Sequence, residues 1–88
     1  MLANSATMKL TIKLFALAKE TYGRDTIALD LPAGATVAEL RRGMIAEIPA
    51  LAPLMSQILF AVNSEYAIDE KPLSVGDEVA CIPPVSGG

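Results

Sequence analysis

The chain of 88 residues has no histidine and one cysteine, Cys81. Without histidine, no Ser-His-Asp triad or Cys-His pair can activate a nucleophile. With one thiol and no imidazole, a zinc site lacks its usual ligands, and an intrachain disulfide cannot form. No bound metal or cofactor is therefore expected. Basic residues are also few. Seven Lys and Arg stand against ten Asp and Glu, for a net charge of −3, and Arg41-Arg42 is the only basic pair. Nucleic-acid affinity rests largely on neutralising phosphates, and no basic stripe is present to do so. Anionic membranes are poor partners for the same reason. No apolar run approaches the ~20 residues that span a bilayer. The start, Met1 to Thr7, lacks the basic and apolar stretches of a signal peptide. The expected compartment is the cytosol.

What is present is an aliphatic domain. Hydrophobic residues make up 52% of the chain, rich for a domain of this size and enough either for a dense core or for apolar surface kept for a partner. Residues 1–7 are expected to be a disordered extension, residues 8–82 one domain, and residues 83–88 an extended tail. Met8 to Phe15 alternates Lys9, Thr11 and Lys13 with Leu10, Ile12 and Leu14, the period of a strand. Ala16 to Tyr22 is a short helical turn, with Gly23 placed to end it. Asp25 to Leu31 is a second strand. Thr36 and Glu39 have the spacing of a capping box. Val37, Leu40, Met44, Ile45 and Ile48 then form one helical face, which Pro49 stops. Ala50 to Met55 is expected to be a short turn or helical loop. Ile58 to Asn63 is apolar enough for a central strand. A short edge strand follows over Ser64 to Ile68, and the last strand runs from Glu78 to Ile82. Strands around one long helix make an α+β domain. Its outline is a β-grasp, or ubiquitin-like, fold with a mixed sheet of four to five strands.

The sequence ends Pro83-Pro84-Val85-Ser86-Gly87-Gly88. Two prolines end the sheet ladder and stiffen the chain toward an extended path. Two glycines then leave a thin tip without side chains. At roughly 7% glycine usage, such a pair ends about 0.5% of chains by chance. The pattern suits a tail that threads a narrow channel and presents its carboxylate to another protein's active site.

The segments Phe15 to Gly23, Ala61-Val62-Asn63 and Gly76 to Ala80, leading into Pro83 to Gly88, resemble the small subunits of molybdopterin synthases, ubiquitin-like sulfur carriers. The resemblance runs from about Met8 to Gly88. It implies that an E1-like adenylyltransferase uses ATP to adenylate Gly88. A sulfur donor protein then converts the end to a thiocarboxylate. The tail enters the large subunit of the synthase, where sulfur passes to cyclic pyranopterin monophosphate. The carrier itself supplies no acid or base, in keeping with the missing histidine. From Pro83 to Gly88 the tail can reach roughly 20 Å.

Phe15 falls on the outward parity of the first strand, and Ile82 shares its parity with Glu78 in the last. With Tyr66 nearby, Phe15, Tyr66 and Ile82 are expected to form an apolar patch at the root of the tail. By resemblance, that patch contacts both the large subunit and the activating enzyme. Some relatives carry two aromatics where this chain has Cys81-Ile82. Cys81 itself is expected to be a small buried hydrophobe. Three other functions share the pattern: a sulfur carrier for thiamine or another pathway, a ubiquitin-like modifier joined to lysines, and a binding module with an inert tail.

Overall fold

The computed structural model describes residues 6–84. Strand β1 (Thr7–Leu14) turns Met8, Leu10, Ile12 and Leu14 inward and Lys9, Thr11 and Lys13 to solvent. It begins one residue earlier than expected. Thr7 pairs with Pro32, and the Ala6 carbonyl accepts from the Ala33 N–H at 3.1 Å. Thr7 thus belongs to the domain rather than to the extension, and residues 1–5 lie outside the described residues. Helix α1 (Ala16–Tyr22) ends at Gly23, whose φ of 86° is left-handed and whose N–H donates to the Lys19 carbonyl at 2.8 Å. Strand β2 (Thr26–Pro32) then returns antiparallel to β1 with Ile27, Leu29 and Leu31 buried.

Helix α2 (Val37–Glu47) opens on the expected capping box. The Thr36 N–H donates to the Glu39 carboxylate at 3.0 Å, and the Glu39 N–H donates to Thr36 Oγ1 at 3.4 Å. Two of the helix's unpaired donors are satisfied in this way. Val37, Leu40 and Met44 face the core. Gly43 lets the helix lie close on β2, since a Cβ there would stand 3.2 Å from Leu31 Cδ2. A 3-10 helix (Pro49–Gln57) follows, longer than the expected turn over Ala50 to Met55. Arg41 holds it from α2. Its Nη1 donates to the Met55 carbonyl at 2.6 Å and the Ile58 carbonyl at 2.7 Å, and its Nε donates to Asp69 at 2.9 Å. The guanidinium carbon lies 5.1 Å from the centre of the Phe60 ring.

Strands β3 (Leu59–Val62), β4 (Glu65–Ala67) and β5 (Val79–Ile82) complete a five-stranded mixed sheet of order β2-β1-β5-β3-β4. Strand β5 runs parallel to β1 and antiparallel to β3. The middle place expected for β3 belongs to β5, and β3 lies one strand in from the β4 edge. Helices cover one face only, the β-grasp arrangement. Phe60, Leu40, Ile12 and Leu51 are fully buried between sheet and helices. Each contributes on the order of 1.5–3 kcal/mol by leaving water.

Candidate functional site: the open sheet face and the root of the tail

Cross-strand partners project to the same side of a sheet. The register therefore shows which residues share the uncovered face. Ile82 lies opposite Leu59. Continuing the parallel register of Leu14 with Cys81 puts Phe15 on the same row. The next row runs Thr26, Lys13, Ala80, Ala61 and Tyr66 across all five strands. The two alanines floor a shallow groove of about 400 Å³, with Lys13, Thr11 and Thr26 on one side and Ser64, Asp77 and Glu78 at one end.

Phe15, Tyr66 and Ile82 thus all belong to the open face, as the sequence suggests. Phe15 is 45% exposed, Tyr66 71% exposed and Ile82 half-buried. They do not form one cluster. Tyr66 stands on the edge strand, about 10 Å across the sheet from Ala80 at the usual strand spacing. Ala61 lies between them, and on the neighbouring row the residue opposite Ile82 is Leu59, 52% exposed, which sequence reasoning missed. Its signal was the parity of Phe60 and Val62, hidden because Ile58 to Val62 is apolar throughout.

Phe15 is aimed by an unusual turn. Its N–H donates to the Cys81 carbonyl at 3.3 Å, which holds it in line with β5. Ala16 then takes a φ of 51°, the left-handed region, to turn the chain into α1. That conformation costs an L-residue roughly 1–2 kcal/mol. Such strain persists only where the surroundings fix it.

The root of the tail is clamped beside this face. Asn63 and Ser64, at φ 52° and 72°, form the two-residue hairpin turn between β3 and β4. The Asn63 N–H donates to the Glu78 carbonyl at 2.7 Å, and Asn63 Oδ1 accepts from the Glu78 N–H at 3.0 Å. Asn63 Nδ2 donates to Asp77 at 3.0 Å, and Asp77 also accepts from the Ser74 N–H at 2.8 Å. The Ser74 N–H and the Asn63 amide hold the Asp77 carboxyl below its ordinary value of 3.8. Ala61-Val62-Asn63 and Gly76-Asp77-Glu78, separate in sequence, are one lock that sets where β5 begins. It begins at Val79, one residue later than expected. At its other end Pro83 is buried and Pro84 exposed, so the chain leaves the body after Pro83 rather than before it. Val85, Ser86, Gly87 and Gly88 lie outside the described residues. Cys81 is buried, and desolvation pushes its thiol from 9.0 to about 11, with Arg41 opposing weakly. Among the described residues no group of three or more acidic or Cys side chains is placed to hold a metal.

The ThiS family model matches residues 12–88. The chain belongs to the ThiS family. The molybdopterin synthase sulfur carrier subunit of Chlamydomonas reinhardtii is 40% identical, over 92% of this chain and 100% of that protein. The crystal structure of small archaeal modifier protein 1 of Haloferax volcanii superposes with a TM-score of 0.79 at 30% identity, covering 89% of this chain and 99% of the other. A further fold likeness, with a TM-score of 0.62 at 23% identity over 92% and 100% of the two chains, is found in a complex of subunits 1 and 2 of molybdopterin-converting factor from Helicobacter pylori. In this ThiS-family chain the matched span takes in the open face, the Asn63–Asp77 lock and the terminal glycines. No described helix is long and apolar enough to cross a membrane.

Proposed function

We propose that this chain is the sulfur-carrying subunit of a molybdopterin synthase, with the sulfur borne on the terminal carbonyl carbon of Gly88. The observation that carries the reading is the position of β5. The middle strand of the sheet ends at the apolar row of Phe15, Ile82 and Leu59 and delivers the chain past Pro83 at that point. A partner seated on the row lies where the tail emerges. The curated relatives named as sulfur carrier subunits support the same reading.

The chemistry follows from the end group. A terminal carboxylate is ionised near neutral pH and is a poor electrophile. An E1-like adenylyltransferase activates it: the carboxylate attacks ATP, pyrophosphate leaves, and Gly88 becomes an acyl-adenylate. The outer sulfur of a donor protein's persulfide attacks the acyl carbon and AMP leaves, giving an acyl disulfide. A second thiol then attacks the donor's sulfur, so that the donor leaves as a disulfide with that thiol and Gly88 keeps a thiocarboxylate. The tail then carries that sulfur into the large subunit for transfer to the pyranopterin. Acid, base and pterin-binding groups come from the large subunit. The apolar row docks each partner in turn, with Leu59 beside Phe15 and Ile82.

The test is intact mass after incubation with the activating enzyme, ATP and a sulfur donor. Wild-type chain is expected to exchange one oxygen for sulfur. Gly88→Ala is expected to lose most of that exchange, since a methyl group obstructs the channel the glycines fit. Normal thiocarboxylate formation and pterin sulfuration by Gly88→Ala would refute the reading. The likeness to small archaeal modifier protein 1 favours a second reading, a protein modifier joined through Gly88 to lysines. Covalent conjugates in the producing cell, absent after removal of Gly87 and Gly88, would establish it.

A further inference from the structure

We propose that the free edge of β2 is a second docking site, which takes an extended peptide segment carrying basic residues as an added strand. Strand β2 stands at one end of the sheet, and no described strand pairs with its outer side. The hydrogen bonds flanking its pairing with β1 fix which groups are free. The Leu14 N–H donates to the Asp25 carbonyl, and the Ala33 N–H donates to the Ala6 carbonyl. In an antiparallel register the bonded pairs alternate, so residues 25, 27, 29, 31 and 33 face β1. The N–H and C=O groups of Thr26, Ala28 and Asp30 point away from the sheet. Proteins usually blunt such an edge. The opposite edge is blunted by length, since β4 spans only Glu65–Ala67. On β2 only Pro32, at the far end, interrupts the row.

The space beside this edge fits a strand's side chains. A groove of about 310 Å³ runs between Ala28 to Leu31 and the Gly43, Ala46 and Glu47 positions of α2. Gly43 and Ala46 keep the helix wall low. Leu29 and Leu31, each 6% exposed, are the core residues nearest to breaking the surface.

Charge selects the occupant. Glu47 lines the groove from α2, Asp30 contributes to its rim while its side chain alternates to the open face with Lys9, and neither joins an ion pair among the described residues. Lys9, the register partner of Asp30, is not within ion-pair distance. A second copy of this chain would bring its own Asp30 and Glu47 to the same edge, like charge against like on both sides of the sheet. A partner segment of alternating apolar and basic residues meets the groove with opposite charge. Strand β1 separates β2 from β5, so the site lies about 10 Å from the tail-bearing strand. A segment held there leaves the row of Phe15, Ile82 and Leu59 open. The carrier can thus be tethered at one edge while its tail is worked on at the face.

The experiment is nuclear magnetic resonance of the ¹⁵N-labelled full chain titrated with a blocked peptide of alternating valine and lysine. Shift changes and slowed amide exchange are expected at Thr26, Ala28 and Asp30. The same peptide with glutamate for lysine is expected to bind at least about tenfold more weakly. A version N-methylated along its bonding edge is expected not to bind, which tests the backbone bonds without altering the protein. Asp30→Asn and Glu47→Gln are each expected to weaken binding about threefold. Equal binding of the glutamate peptide, or shifts confined to Leu59, Ala61 and Ile82, would overturn the proposal. So would a peptide-free chain that sediments as a dimer with those three amides already protected.

Discussion

The two faces of the sheet are built from the same five strands and put to opposite uses. On the inner face Ile12, Leu29, Phe60, Val62 and Cys81 meet α2 and the 3-10 helix and are shut from water. On the outer face Leu59, Ala61, Ala80, Ile82 and Tyr66 are covered by no described helix and keep part of their apolar surface exposed. Alternation along each strand separates stability from recognition residue by residue. Neighbours such as Leu59 and Phe60 differ in role because they differ in side.

That division is open to direct attack. The largest effect is expected from Phe60→Ala. It opens a cavity under Arg41 and costs about 3–5 kcal/mol, much of the roughly 5–10 kcal/mol available to a chain of this size. Thermal unfolding checks it, and a small loss would mean that the inner face is not the seat of stability. Arg41→Met is expected next, at about 3 kcal/mol in chemical denaturation, because it strands the Met55 and Ile58 carbonyls. Arg41→Lys keeps the charge but not the fork, and recovers only part of that loss. The outer face predicts the reverse balance. Leu59→Ala with Ile82→Ala is expected to change stability by about 1 kcal/mol or less per site, yet to weaken large-subunit binding at least about tenfold, as loss of central apolar anchors does. Calorimetry of binding beside unfolding of the same variant separates the two. The smallest effect concerns pH. The folded Cys81 thiol titrates near 11 against an ordinary 9.0. The folded state therefore holds this proton more tightly. Its contribution is complete below pH 9.0 and is lost as pH rises toward 11. Cys81→Ala is expected to flatten that alkaline slope in denaturation curves, and the wild-type thiol to resist labelling at pH 8.

Much of the fold was written locally. The Thr36–Glu39 box, the Gly23 stop and the alternation of β1 each need only a few neighbouring residues, and each lies where the sequence placed it. The 3-10 helix was only partly legible, since its carbonyls are held by Arg41 from 14 and 17 residues away. The middle place of β5 was not legible either, because strand order depends on long-range pairing that no periodicity records. At the site, Phe15 and Ile82 were found by parity. Leu59 was lost inside an unbroken apolar run. Glycine marked Gly23 as a turn position, but nothing in the sequence announced that Ala16 would also adopt a left-handed backbone.

The central strand is also the last described element in chain order. Strand β5 joins the β2–β1 half of the sheet to the β3–β4 half, and among the described residues no other strand pairing bridges them. A nascent chain stopped short of Val79 therefore holds two hairpins with no seam between them. The sheet closes only when β5 is seated, so the strand that leads into the tail is also the one that joins the body together.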